Sequence, residues 1–296
     1  TRVDYPLVKS KFGVYNTPYV QLHRWIRDFD LIKALRPARI RFEPAWGKEH
    51  EQVYTYDRMV DGTADNLEFH FEQLDQLIDL ANDSHIPFIM ATTYATTPLT
   101  QQGPGKDWRS PPSDIEKWGG EVLYSFADHF KQTGRKIALY ELWNEPDLSI
   151  FFTGTQDDYH EIYKQGVQGL RAADPDAVVG GPVLAFDSWQ NNFFKYVNQN
   201  NLPLDSFTFH LYGGYDNGKL NTMRNSIGGA IGDLNFQRFS TVDVDITEYN
   251  YVLNFSPETP VIRYQAAANL LNNFKGFLAM PWINHIDWAQ MQEPDC

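Results

Sequence analysis

Cysteine is nearly absent: the chain has one, Cys296, among 296 residues. One thiol cannot close a disulfide within the chain, and it excludes a zinc-type cysteine cluster. The 8 histidines are scattered with no HxxxH-type spacing, so neither a metal nor any other cofactor is expected. No run of eighteen apolar residues occurs, so no membrane partner is expected. The opening TRVDYPLVKS lacks a charged-then-apolar leader, which predicts a soluble chain whose signal peptide was removed or never existed. Basic residues are the minority, 25 Lys and Arg against 38 Asp and Glu, for a formal charge of -13. With no basic stripe interleaved with aromatics, nucleic acid would be repelled, and a neutral or small partner is expected. Internal repeats, low-complexity tracts and Gly/Ser/Pro linkers are also missing, so residues 1–296 are expected to form a single domain.

Aromatic residues, in contrast, make up 15% of the chain, with 8 Trp and 16 Tyr. They suit core packing and also stacking on sugar rings. Two glycosylation-type triplets, Asn82-Asp83-Ser84 and Asn254-Phe255-Ser256, leave the compartment open, with a secreted or periplasmic setting the preferred expectation.

Apolar strands alternate with amphipathic helices along the chain. The strands expected are 11–15, 38–42, 87–92, 136–142, 177–180, 206–210, 242–247 and 276–280. The helices expected are 19–35, 67–81, 113–132, 157–173, 189–197 and 259–273, plus a poorly written one around Ile227-Gly228-Gly229-Ala230, where two central glycines weaken it. A long polar loop is expected through Gly62. Eight strands and about seven helices predict an α/β fold, a (β/α)8 TIM barrel, in which strand C-terminal ends line the active site. Few residues follow strand eight, so either the eighth helix is truncated or an N-terminal segment covers that wall.

The strand ends are polar and aromatic. They carry Arg41 and Glu43, Tyr94, Asn144 and Glu145, His210 and Tyr212, Glu248, and Trp282. The strand KIALYEL breaks into Trp143-Asn144-Glu145-Pro146, and a second ends in Thr247-Glu248-Tyr249-Asn250. Strands four and seven face each other across an eight-stranded mouth, so Glu145 and Glu248 are the candidate catalytic pair. Glycosidic cleavage needs such a pair, a protonated acid and a second carboxylate. Arg41 and Tyr212 are suited to keep Glu248 ionised, and burial to keep Glu145 protonated. Plainer readings fit the same residues: Asn144 and Pro146 suit a strand-to-helix junction, Arg41 a buried ion pair, His210 a core histidine, and Trp282 simple packing.

ELWNEPDL and DITEYN together resemble the acid/base and nucleophile segments of the clan A glycoside hydrolases, most closely family 39, which includes β-xylosidases and α-iduronidases. PPSDIEKWGGEV, GGPVLA and FHLYGG support the resemblance, which runs from KFGVY to MPW. It implies a retaining O-glycosidase, xylosidase-like, acting on an oligosaccharide or polysaccharide. Glu145 would be acid then base, Glu248 nucleophile, and Asn144 the partner of the sugar 2-hydroxyl. It also implies sugar or nucleophile contacts for His210 and Tyr212. Phe42-Glu43 departs from the Gly-His that family xylosidases carry after the strand-two arginine, so a sugar contact there has changed. Asp287 and Trp288 are candidates to replace an acidic loop the family shows after Trp282, and the family's accessory β-sandwich has no evident counterpart. An endo-acting hydrolase and a non-catalytic sugar-binding barrel are the alternatives.

Overall fold

The computed structural model describes residues 10–16, 22–44, 59–186, 188–213, 217–232, 241–250, 268, 271 and 273–289. Its strands are β1 (Phe12–Asn16), β2 (Ile40–Phe42), β3 (Val60–Thr63), β4 (Asn66–Phe69), β5 (Phe88–Thr92), β6 (Leu139–Leu142), β7 (Val179–Leu184), β8 (Ser206–Tyr212), β9 (Asp243–Asn250) and β10 (His285–Ala289). Eight of them close a barrel, running β1, β2, β5, β6, β7, β8, β9, β10 and back to β1. Every pair in that ring is parallel. The helices are α1 (Leu22–Arg27), α2 (Phe29–Leu35), α3 (Glu72–Asp83), α4 (Ile115–Lys117), α5 (Tyr124–Thr133), α6 (Gln156–Ala173), α7 (Gln190–Gln199) and α8 (Asn217–Gly232). This is the expected (β/α)8 TIM barrel.

Side-chain alternation explains why these strands close rather than lie flat. In β2 the apolar Ile40 and Phe42 turn outward, and Phe42 meets Trp25 of α1 edge to face at 5.8 Å. Arg41 between them, and Arg39 just before the strand, turn into the barrel, where both are buried. In β8 the outward set is Phe207, Phe209 and Leu211, and the inward set is Ser206, Thr208, His210 and Tyr212. β9 breaks this rule usefully. Asp245 and Glu248 are three apart, so strict alternation would send one of them outward. A register shift between Phe209 and His210 lets His210 pair with Glu248, and both carboxylates face in. Such a bulge re-aims every later side chain in the strand.

The two inward arginines organise two ionic layers. In the lower one, Arg39 donates to both carboxylate oxygens of Asp287 (2.7–3.0 Å) and pairs with Asp245 at 2.9 Å. Ser206 donates to Asp245 at 2.7 Å, and His285 Nδ1 lies 3.0 Å from it. Asp245 is buried, which alone would raise its pKa, yet Arg39, His285 and Ser206 hold it below the ordinary aspartate value. Burial pushes Asp287 up to about 6. The upper layer, around Arg41, is the candidate site.

Outside the barrel, α6 starts at a capping box in which Thr155 and Asp158 each satisfy the other's backbone N–H. It packs closely on the π-helical turn Trp118–Leu123 that joins α4 to α5. A Cβ on Gly169 would lie 1.9 Å from the Gly119 carbonyl oxygen, so this crossing requires glycine.

Several expected elements differ. The helix expected over 19–35 is two helices with a turn at Asp28, and Arg36, left-handed at φ 51, ends the second before Pro37. The loop expected through Gly62 runs into the antiparallel hairpin β3–β4, and β4 takes the first residues of the helix expected over 67–81, which begins only at Glu72. The helix over the two glycines forms as α8 despite their low propensity. The expected strand 276–280 is the main correction: residues 273–278 are helical, and strand eight is β10. A five-residue apolar run such as GFLAM fits either element, whereas His285-Ile286-Asp287-Trp288-Ala289 keeps a charged residue inside the barrel and so does not read as an apolar strand. Most of the helix expected at 259–273 lies outside the described residues. Among the described residues, no helix is long and apolar enough to cross a membrane.

Candidate active site

The upper end of β6 runs directly into the site. Past Leu142 the backbone of Trp143 (φ 75) and Glu145 (φ 42) is left-handed, at a cost of about 1–3 kcal/mol for each non-glycine residue unless the surroundings impose it. Here they do. The Trp143 indole donates to Phe151 O at 3.2 Å and packs edge-on against Tyr94 and Phe152. Glu145 N donates to Val183 O at 3.0 Å, and Asp147 accepts from the amides of Ala185 and Phe186 at 2.9 and 2.7 Å. The turn is thereby tied to the end of β7, and the Glu145 carboxyl faces the barrel axis.

Arg41 is the hub of the layer. Its Nε donates to Glu141 on β6, and Nη2 donates to Asn144 Oδ1 at 3.0 Å. Nη1 donates to two carboxylates, Glu248 Oε1 at 2.8 Å and Glu43 Oε1 at 3.1 Å. The Asn144 amide nitrogen then points to the Tyr94 hydroxyl at 3.4 Å, which fixes the orientation of the amide. Tyr15 donates to Glu43 at 2.7 Å and Tyr212 to Glu248 at 2.5 Å. Burial raises both tyrosines well above their ordinary value, so both remain donors.

Glu145 and Glu248 meet across the barrel mouth at His210. His210 Nδ1 is 2.7 Å from Glu145 Oε1 and 3.6 Å from Glu248 Oε2. One oxygen of each glutamate and a ring nitrogen of His210 all lie within 4.8 Å of one another. Burial lowers His210 to about 4, so the imidazole between the carboxyls is neutral. Burial, reinforced by Asp147, pushes Glu145 up to about 8. Glu43 and Glu248 are also raised by burial, against the pull of Arg41. The two facing carboxyls therefore differ. Among the described residues no lysine or arginine pairs directly with Glu145, whereas Glu248 has both a guanidinium and a phenol.

Of the residues expected at the site, Arg41, Glu43, Tyr94, Asn144, Glu145, His210, Tyr212 and Glu248 converge on one buried cluster. Trp282 does not. It precedes β10 and so lies toward the N-terminal end of the barrel, partly buried against the core. Asp287 is also not in a mouth loop, because it is a partner of Arg39 inside the barrel. Three residues at the site were not anticipated: Tyr15, Glu141 and Asp147. Tyr15 is near the end of strand one, where the strand-end rule would have found it. Glu141 is the one charged residue in the strand ALYEL, and its inward register was the available signal.

The model of glycosyl hydrolases family 39 matches residues 32–273. The chain belongs to that family. Among curated relatives, this family 39 chain is 32% identical over 108 residues to a β-xylosidase of Caldicellulosiruptor saccharolyticus, covering 35% of this chain and 22% of that one. A β-xylosidase of Geobacillus stearothermophilus is 28% identical over 109 residues, with the same coverage of 35% and 22%. Among solved structures, the family 39 enzyme of Xanthomonas axonopodis pv. citri superposes with a TM-score of 0.72 at 20% identity, covering 95% of this chain and 58% of that chain. A family 39 β-xylosidase of Caulobacter crescentus gives 0.72 at 18% identity, covering 96% and 63%. The chain thus spans under two thirds of the length of these relatives.

Proposed function

We propose that this chain is a retaining glycoside hydrolase, β-xylosidase-like in acting on oligosaccharides, with Glu248 as nucleophile and Glu145 as acid then base. The observation that carries this reading is the pair itself. One oxygen of each carboxyl lies within 4.8 Å of the other, and their surroundings differ, Glu248 alone being held by a guanidinium and a phenol. Carboxyls about 5–5.5 Å apart leave no room for a water between carboxylate and sugar, which favours direct attack and retention.

Glu145, kept protonated by burial, gives its proton to the leaving oxygen as the glycosidic C–O bond breaks. Glu248 forms an ester to the anomeric carbon from the opposite side. Water then attacks that carbon, Glu145 takes the water proton, and the ester C–O bond breaks to free Glu248. Arg41 and Tyr212 hold Glu248 in place and favour its ionised form against the upward push of burial. Asn144, already oriented by Arg41 and Tyr94, is the natural partner of the sugar 2-hydroxyl. Tyr94, His210 and Tyr212 complete the substrate contacts. The names of the curated relatives support xylose as the first sugar to try.

The test compares leaving groups. Glu145→Gln should lose about 100-fold or more in kcat/KM on a phenyl xyloside and far less on a dinitrophenyl xyloside, whose leaving group needs little protonation. Equal losses on the two substrates would remove Glu145 from the acid role.

A further inference from the structure

Glu43 is buried at the upper end of β2, yet the double displacement gives it no step. Its Oε1 accepts from Tyr15 at 2.7 Å and from Arg41 Nη1 at 3.1 Å. The same Nη1 donates to Glu248 at 2.8 Å. Two carboxylates therefore share one guanidinium nitrogen and its charge, and each accepts from its own tyrosine, Tyr15 for Glu43 and Tyr212 for Glu248. The Arg41 guanidinium also lies over the Tyr15 ring, 4.6 Å from its centroid. Arg41, Glu43 and Glu141 are 0–1% exposed, and charges couple strongly when water is excluded.

We propose that Glu43 is a positioning residue for the nucleophile: by sharing Arg41 Nη1 with Glu248, it controls the pH at which Glu248 becomes ionised. Among the described residues, the charged and titratable groups around Glu248 come from β1, β2, β6 and β8 and the turns just past them. They are Tyr15 on β1, Arg41 and Glu43 on β2, Glu141 and Glu145 on and after β6, and His210 and Tyr212 on β8. Of these, Glu43 is the carboxylate that shares both the cation and the nitrogen with Glu248. A like charge close to a carboxylate disfavours its ionised form, and a shared cation neutralises each partner less than a dedicated one would. The arrangement also bears on the intermediate. When Glu248 becomes an ester its charge is gone, and Glu43 is the carboxylate that stays on the same nitrogen of Arg41. The catalytic consequence rests on the glycosidase reading; the titration does not.

The variant to make is Glu43→Gln, which keeps an acceptor for Tyr15 and Arg41 and removes the charge. In protein labelled with carboxyl-13C glutamate, the Glu248 resonance is assigned by its loss in Glu248→Gln, and its titration midpoint is read by NMR. The midpoint should fall by about one pH unit in Glu43→Gln. The acid limb of kcat/KM on an activated aryl xyloside should move the same way. An unmoved midpoint in folded Glu43→Gln overturns the proposal, even if activity drops. A moved midpoint with no glycoside turned over upholds it and removes the glycosidase reading instead. If Glu43→Gln does not fold, Tyr15→Phe serves. It removes the hydrogen bond that Tyr15 donates to Glu43, which disfavours the ionised form of Glu43 and should lower the Glu248 midpoint by a smaller step, and no movement there would equally overturn the assignment.

Discussion

Replacing Glu145 by Gln should change how the stability of the fold depends on pH. The Glu145 carboxyl rises from 4.5 to about 8 because it is buried, with Asp147 adding to the shift. In the unfolded chain it titrates near its ordinary value. A carboxyl raised in the folded state contributes stability that is fully present below the unfolded pKa and is lost as pH rises through the folded one. For Glu145 that window runs from about pH 4.5 to about pH 8. At about 1.36 kcal/mol per pKa unit the ceiling is near 4–5 kcal/mol, and relaxation around the charge brings the working figure to about 2–4 kcal/mol. Gln has no proton to lose and still offers His210 a polar partner. Wild type should therefore lose stability between pH 5 and pH 9 that Glu145→Gln does not. The difference in melting temperature between the two should change by on the order of 5–10 °C across that range. Glu43, Glu248 and Asp287 are also raised by burial, but they are present in both proteins and largely cancel. Thermal melts of both proteins at pH 5, 7 and 9 make the comparison. Parallel curves, with a constant offset at every pH, would refute a protonated, buried Glu145.

Arg39→Ala should cost about 3–5 kcal/mol, because it leaves Asp245 and Asp287 buried without their cation. Arg27→Ala, whose pair with Asp28 is solvent-exposed, should leave the denaturation midpoint in place. Gly169→Ala forces a methyl into the Gly119 carbonyl and should cost about 1–3 kcal/mol, while Gly120→Ala, with nothing within 4 Å, should be tolerated. Chemical denaturation measures both contrasts. Trp282→Ala should leave KM unchanged on any substrate the protein hydrolyses, since Trp282 precedes β10 rather than following it.

Much of the barrel and of the candidate site was legible in the sequence because strand ends differ chemically from strand interiors. Trp143-Asn144-Glu145-Pro146 and Thr247-Glu248 stood out as polar endings on apolar strands, and the structure brings both glutamates to His210. The less legible parts share a physical cause. Inside this barrel the packing is partly ionic, so β10, which turns His285 and Asp287 inward, carries no apolar signature, and the apolar run GFLAM, helical through Leu278, was the more persuasive strand. The bulge in β9 was also hidden, since only pairing with β8 shows why Asp245 and Glu248 both face inward. Glu141 lies within a strand rather than at its end, and it becomes noticeable only when Arg41 is found across the barrel. The hairpin β3–β4 alternates weakly, so β3 read as loop and β4, through Leu67, as the start of the helix that begins only at Glu72.

The central claim is that Glu248 bonds covalently to the sugar, and the most direct measurement is to trap that bond. The protein is incubated with a 2-deoxy-2-fluoro xyloside carrying an activated leaving group, which slows breakdown of the ester more than its formation. It is then digested and mapped by mass spectrometry. A single fluoroxylosyl group on Glu248, absent in Glu248→Gln, is the expected result. A label on another residue, or turnover of the parent xyloside with inverted configuration and no label, would contradict it.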